Sequence, residues 1–302
     1  MKTRTVISAF TAAAVFLALS CTKSAPASIP GEGNPAKLVV GIGGTPRAKA
    51  TGVPEGAESK VNSIQIFVFK GNLRDGYYIN SSPQADAAGN YIGTVDCTSG
   101  RRDVVVVVNA PSLEGVVTRT ELDGSVMLLG SGTDNFAMAG SVSDRLISDE
   151  GDDIHIEVAR LASRIEVRGI RNGLALTETE FTLVSAYITN VRGSWTLGGT
   201  APSSSEDFWY NRRGYQASNN LGEVIFDSIG KTLSPGETDE TVHFFYAMPN
   251  DNAAAAGAPW SPRATQLVIR ARIGGVLFDY PVVLPELESN KTYRISLVTL
   301  TR

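Results

Sequence analysis

Residues 101–111 read RRDVVVVVNAP. Five consecutive valines, Val104 to Val108, follow Arg102-Asp103 and stop at Asn109-Ala110-Pro111. β-Branched side chains favour extended backbone. A run with no polar alternate leaves no face for water, so it reads as a strand covered on both sides and ended by proline. Upstream, Ser63-Ile64-Gln65-Ile66-Phe67-Val68-Phe69 alternates at period two, and Lys70-Gly71-Asn72 supplies a turn. An earlier strand runs Lys37-Leu38-Val39-Val40-Gly41-Ile42. Downstream strands are expected at 154–158, 163–167, 181–190, 224–226, 242–248, 265–273, 276–283 and 293–300. Gly274-Gly275 between two alternating runs signals a hairpin. Helical signals are few: residues 112–120 and 125–129 hold at most a short helix or helical turns. The fold class is therefore all-β, built as β-sandwiches from many short strands separated by Gly, Pro, Asn and Asp turns. The stretches 198–206 and 250–259 read as surface loops.

The N-terminus sets the compartment. Lys2 and Arg4 precede an apolar stretch from Val6 to Leu19, too short to span a membrane and of signal-peptide length. It ends in Ser20-Cys21 and then turns polar. A small residue before a cysteine resembles the lipobox of bacterial lipoproteins, with Cys21 as the lipid-bearing residue. Ala18 stands where that motif usually has leucine, and an ordinary signal peptide is the other reading. Cys97 is then left without a partner, which excludes a disulfide-stapled domain. Without the leader the chain holds 25 basic and 31 acidic residues, a net charge of −6. A mildly acidic chain with no basic block is a poor partner for nucleic acid.

Chemistry is sparse. His155 and His243 each lie inside an alternating strand, facing solvent or an interface, with no local nucleophile or metal-ligand partner. No Gly-x-Ser-x-Gly elbow, HExxH helix or phosphate-binding loop occurs. Asp149-Glu150-Gly151-Asp152-Asp153 lacks EF-hand spacing and reads as a solvated hairpin tip. Phe208-Trp209-Tyr210 with Arg212-Arg213 is either a ligand platform or packing. No catalytic set, metal site or cofactor is expected, and the chain does not read as an enzyme.

Taken in order, KLVVGIGG before Arg47, SIQIFVFKGN, RRDVVVVVNAP, NFAMAGSV, IEVARLASRIEV, HFFYAMPN and the closing NKTYRISLVTL resemble the fimbrillins, or type V pilins, of Bacteroidetes: the FimA/Mfa-like fimbrial subunit lipoproteins. The resemblance implies two tandem transthyretin-like Greek-key β-sandwich domains after a lipoprotein signal peptide. The leader would be residues 1–20 and a flexible tether 21–36. The N-terminal domain would span 37–160 and the C-terminal domain 161–302, ending in strand 293–300. It further implies a polymerisation scheme. The lipid-anchored precursor reaches the outer membrane, and an arginine-specific surface protease cuts after Arg47, before Ala48. The edge strand Lys37, Leu38, Val39, Val40, Gly41, Ile42 then leaves, and a strand of a neighbouring subunit fills the groove. The candidate donor is 293–300, with Tyr293, Ile295, Leu297 and Thr299 on one face. The chain ends two residues after Leu300, so either that strand is mobile or the subunit accepts without donating. The implied partners are other fimbrial subunits in a head-to-tail filament, the protease, the lipid anchor and a host-surface ligand. The implied locations are the outer membrane and then the cell-surface fimbrium, and the implied task is adhesion as a stalk or tip subunit. The alternatives are a monomeric outer-membrane surface lipoprotein that binds host protein or glycan through loops such as 198–213, or a fimbrial anchor subunit.

Overall fold

The computed structural model describes residues 32–43, 55–175, 180–212, 214–217, 221–251 and 264–301. Strands dominate. In the first half they are β1 (Pro35–Gly43), β2 (Ile64–Lys70), β3 (Leu73–Asn80), β4 (Tyr91–Thr98), β5 (Gly100–Val108), β6 (Val126–Leu128), β7 (Met138–Ile147), β8 (Asp152–Glu157) and β9 (Ala159–Arg160). Helix α1 (Glu55–Glu58) precedes β2, and α2 (Arg119–Gly124) precedes β6. In the second half they are β10 (Ser163–Val167), β11 (Ile170–Asn172), β12 (Phe181–Thr189), β13 (Val191–Arg192), β14 (Ser194–Thr196), β15 (Trp209–Tyr210) and β16 (Phe226–Thr232). These are followed by β17 (Thr238–Asp239), β18 (His243–Ala247), β19 (Gln266–Ile273), β20 (Val276–Val283), β21 (Thr292–Ile295) and β22 (Val298–Leu300).

The two halves share one plan. In the first, the sheet β4-β1-β8 faces β3-β2-β5-β7-β9. In the second, β18-β10-β21, continued by β17-β11-β22, faces β16-β12-β19-β20. In each half the opening strand lies between an antiparallel neighbour and the parallel closing strand: β1 between β4 and β8, β10 between β18 and β21. Gly31–Arg302 forms one compact unit containing two main cores. One gathers residues between Ala36 and Val158. The other gathers residues between Met127 and Leu300, including Met127, Leu129 and Phe136 from ahead of β7.

The valine run behaves as its composition demands. Val104, Val106 and Val108 enter the inter-sheet core, while Val105 and Val107 join Phe67, Phe69 and Leu122 in a smaller cluster on the outer face. Leu122 comes from α2. The helix starts at a capping box in which the Thr118 hydroxyl accepts from the Glu121 N–H and the Glu121 carboxylate accepts from the Thr118 N–H. That helix corrects the sequence reading, which put helical signals on either side of it. Residues 126–128 instead pair as β6 with β14. The expected strand at 224–226 is also corrected, because Gly222–Val224 is a 3-10 turn and β16 begins at Phe226. Gly274 and Gly275 have φ of 56° and 85°, as a two-residue hairpin between β19 and β20 requires. The acidic stretch 149–153 is a corner between sheets rather than a hairpin tip, since β7 and β8 pair with different neighbours.

Candidate functional site

β1 follows from its own alternation. Ala36, Leu38, Val40 and Ile42 point inward at 7%, 0%, 0% and 2% exposure. Lys37 and Val39 face water, and Gly41 and Gly43 are half-buried. The strand is not the edge that the sequence reading made it. It holds eight register pairs with antiparallel β4, from Pro35↔Thr98 to Ile42↔Tyr91, and six with parallel β8, from Leu38↔Asp152 to Gly43↔Glu157. Two-sided pairing makes its removal costlier than the loss of an edge. It would leave a slot with backbone donors and acceptors on both walls.

The slot is apolar. Ala36 stands opposite Cys97, Leu38 opposite Val95, Val40 opposite Gly93 and Ile42 opposite Tyr91. Cys97 is a buried free thiol. Burial, with a smaller contribution from the Asp75 carboxylate, pushes its pKa from an ordinary 9.0 up to about 11. At the same end the buried Arg102 guanidinium donates to Asp75 at 2.8 Å and to the Ser99 carbonyl at 2.7 Å. Burial alone raises the Asp75 carboxyl, but the Thr98 N–H and Arg102 outweigh it and hold the group below its usual range. On the outer face the His155 ring lies over Gly41 and Gly43, and a Cβ on Gly41 would sit 3.2 Å from His155 Nδ1.

The segment after β1 returns at α1, whose last residue, Glu58, is 4% exposed. Its carboxylate accepts from Arg160 and from the Tyr246 hydroxyl and lies 3.3 Å from Arg164 Nη1. Burial first, then the Glu58 charge, raises the Tyr246 pKa. Arg164 continues to Glu166 at 3.3 Å and stacks 4.4 Å over the Phe244 ring, and Glu166 also holds Arg168. Nothing in the sequence pattern at 55–58 marks Glu58, because its partners lie over 100 residues away.

Of the residues picked from sequence, Cys21, Arg47 and Ala48 lie outside the described residues, as do 1–20. Lys37 to Ile42 all lie in β1. The last strand departs from the expected pattern. β21 ends at Ile295 and β22 begins at Val298, so Tyr293, Ile295, Leu297 and Thr299 do not share a face. Tyr293, Ile295 and Val298 are half-buried and Leu300 is buried, while Leu297 is 48% exposed and Thr299 faces water. The cause lies next door. The neighbouring strand breaks at Arg168-Gly169, the Arg168 N–H donates to the Ile295 carbonyl and the Val298 N–H to the Gly169 carbonyl, so both strands change phase together. His155 is exposed, but His243 is buried, with Nδ1 2.6 Å from Asp227 and Nε2 3.4 Å from Asp239. Trp209 and Tyr210 pack as β15 against β13, and Arg192 lies 4.8 Å from the Trp209 ring and 5.5 Å from Trp195. Trp209 and Tyr210 are thus used in packing, while Phe208 is 54% exposed and Arg213 lies outside the described residues.

Residues 36–156 match the family of the major fimbrial subunit protein, FimA. That match spans 121 of the 302 residues, and over them the chain is similar to the FimA-type fimbrial subunits. The fold is shared with the fimbrilin FimA of Porphyromonas gingivalis, at 16% identity over 89% of this chain and 91% of that one (TM-score 0.64). It is shared with the tip fimbrial protein Mfa3 of the same organism, C-terminally truncated, at 14% identity over 87% and 95% (TM-score 0.56). A fimbrial assembly protein of Parabacteroides distasonis is similar at 14% identity over 88% and 92% (TM-score 0.52). No curated protein sequence matches the chain.

Proposed function

We propose that this fimbrial subunit is exported as a lipoprotein through Cys21 and polymerises by strand exchange at β1. A cut after Arg47, in the connection between β1 and α1, detaches the strand. A strand of a neighbouring subunit then occupies the position between β4 and β8, the donor-strand form of β-augmentation. Repeated head to tail, the contact does not close and makes a surface fimbrium that serves adhesion. The observation that carries this reading is the seat of β1: four core side chains, two paired neighbours and no short covalent link to the next strand. The Glu58 cluster supports it, because it holds the chain downstream of the cut in place after β1 has gone. Replacing Arg47 by Ala is expected to leave the precursor uncut and absent from fibres, read by N-terminal sequencing of surface protein. Normal incorporation of the uncut variant would overturn the mechanism.

A further inference from the structure

We infer that the β1 slot selects its replacement strand by two criteria, and that this chain's own last strand does not meet both of them in any frame that turns Tyr293, Ile295 and Leu297 inward. The inference rests on strand exchange at β1 as proposed above. The first criterion is the inner profile: a small residue at the Ala36 position, facing Cys97, then three aliphatic residues at alternate positions. The second is on the outer face. Glycine inside a strand weakens it and marks a place where another group comes close. Here that group is His155, which pairs with Gly41 in the parallel register and covers both Gly41 and Gly43. A Cβ at Gly43 collides with the ring outright, so a larger residue there must push His155 off the sheet. His155 is thus a specificity-determining residue. The occupant it fits is a β-strand of another protein chain carrying small–aliphatic–aliphatic–aliphatic on its inner face and glycine, alanine or serine at the two outer positions under the imidazole.

Thr292–Leu300 fails this test in three frames that turn Tyr293, Ile295 and Leu297 inward. Inserted in the direction of β1 with Tyr293, Ile295 and Leu297 at the aliphatic positions, it puts Lys291 against Cys97 and Val298 under His155. Shifted by two, it puts Tyr293 at the Ala36 position and Val298 and Leu300 under the ring. Reversed, with Thr299 at the Ala36 position, Leu297 and Ile295 fit the next two inner places, but Tyr293 takes that of Ile42, and Arg294 and Thr292 replace the two glycines. A buried lysine or an oversized ring is disfavoured by desolvation or overpacking. The strand also has a seat of its own, where Leu300 is 1% exposed in the second core.

The test uses the full chain nicked at an introduced protease site within 44–54, with a fluorescent Pro35–Gly43 peptide exchanged into the slot. Unlabelled Pro35–Gly43 is expected to compete. The same peptide with G41V/G43V is expected to compete about tenfold less well, and a Lys291–Thr301 peptide not to compete. In a His155→Ala chain the G41V/G43V peptide should recover most of its loss. If all three peptides compete equally in the unaltered chain, selection by His155 and the inner profile is wrong, while strand exchange stands. If the G41V/G43V defect persists in His155→Ala, the imidazole is not its cause and its assigned role falls. If the native peptide does not exchange even after unfolding and refolding of the nicked chain, the exchange reading fails and this inference with it.

Discussion

The opening strands of the two halves occupy the same topological position but are held in different ways. β1 is uninterrupted, alternates cleanly and contributes only apolar side chains to its core. The link from Gly43 to the next strand, at Ile64, is long. β10 follows β9 after two residues, and the strand line breaks at Arg168-Gly169 before β11. It also buries charge: Arg164 at 1% and Glu166 at 0% exposure, tied to Glu58, Arg160 and Arg168. Apolar contacts are non-directional, so the seating of β1 depends on the profile of its inner face rather than on particular polar partners. A buried ion network requires its own partners, and removing one strands the others. The same plan thus yields one strand held by apolar contacts alone and one held also by buried charge.

The largest expected effect breaks the first of these. Val40→Asp places an unpaired carboxylate at a site with 0% exposure, opposite Gly93. It is expected to cost about 4 kcal/mol or more, while Val39→Asp on the outward face stays within about 0.5 kcal/mol. Urea denaturation of the uncut chain measures both. Equal losses would mean that the alternation of β1 does not decide its seating.

The strand held also by buried charge should be nearly as sensitive, for the opposite reason. Glu58→Gln removes the carboxylate shared by Arg160, Arg164 and Tyr246, and Glu166→Gln removes the one between Arg164 and Arg168. Glu58→Gln leaves the buried Arg160 guanidinium without its counter-charge, at about 3 kcal/mol, and Glu166→Gln costs less, because Arg164 keeps Glu58 and Arg168 is partly exposed. The same denaturation experiment should show Glu58→Gln loosening residues 57–60 in hydrogen exchange, while β1 keeps its protection. Loss of β1 protection as well would show that the two strands are not independently held.

Much of this contrast was legible in the sequence. The five valines, the alternation of 37–42 and 64–69 and the Gly274-Gly275 pair each declare their element, because local periodicity reflects local burial. Strands β3, β4 and β7 were hidden because their outward positions and bends dilute the pattern: Gly76, Gly93 and Gly140 sit among polar residues. Helix α2 had a readable signal, Thr118-x-x-Glu121. The central place of β1 was not readable, since a parallel partner over 100 residues away leaves no trace in local spacing. The phase change in the last strand depends on a neighbour's glycine for the same reason.

Cys97 gives a smaller effect that follows β1 directly. Its thiol is raised from 9.0 to about 11 while the strand covers it. A raised thiol pKa means that the folded form binds its proton more tightly, so the stabilisation is complete below pH 9 and is eroded as pH rises towards 11. The full loss is at most about 2–3 kcal/mol, and Cys97→Ser should remove this alkaline slope. Detaching β1 should return the thiol towards its ordinary value and speed alkylation at pH 8 by up to about 100-fold. An unchanged rate in a chain shown to have lost residues 35–43 would mean that the slot closes over itself.

The smallest expected effect concerns the closing strands. A continuous strand from 293 to 300 would bury Leu297 with Tyr293 and Ile295, and truncating it would cost what core leucines cost, about 2–5 kcal/mol. The break opposite Gly169 instead leaves Leu297 about half exposed and moves the core role to Leu300. Leu297→Ala is therefore expected to change stability by no more than about 0.5 kcal/mol, measured by thermal denaturation against the unaltered chain. A core-sized loss would mean that the strand keeps a single phase. The second half would then close as the first does, with a strand whose whole inner face is apolar, and the difference between the two opening strands would rest on the buried charges of β10 alone.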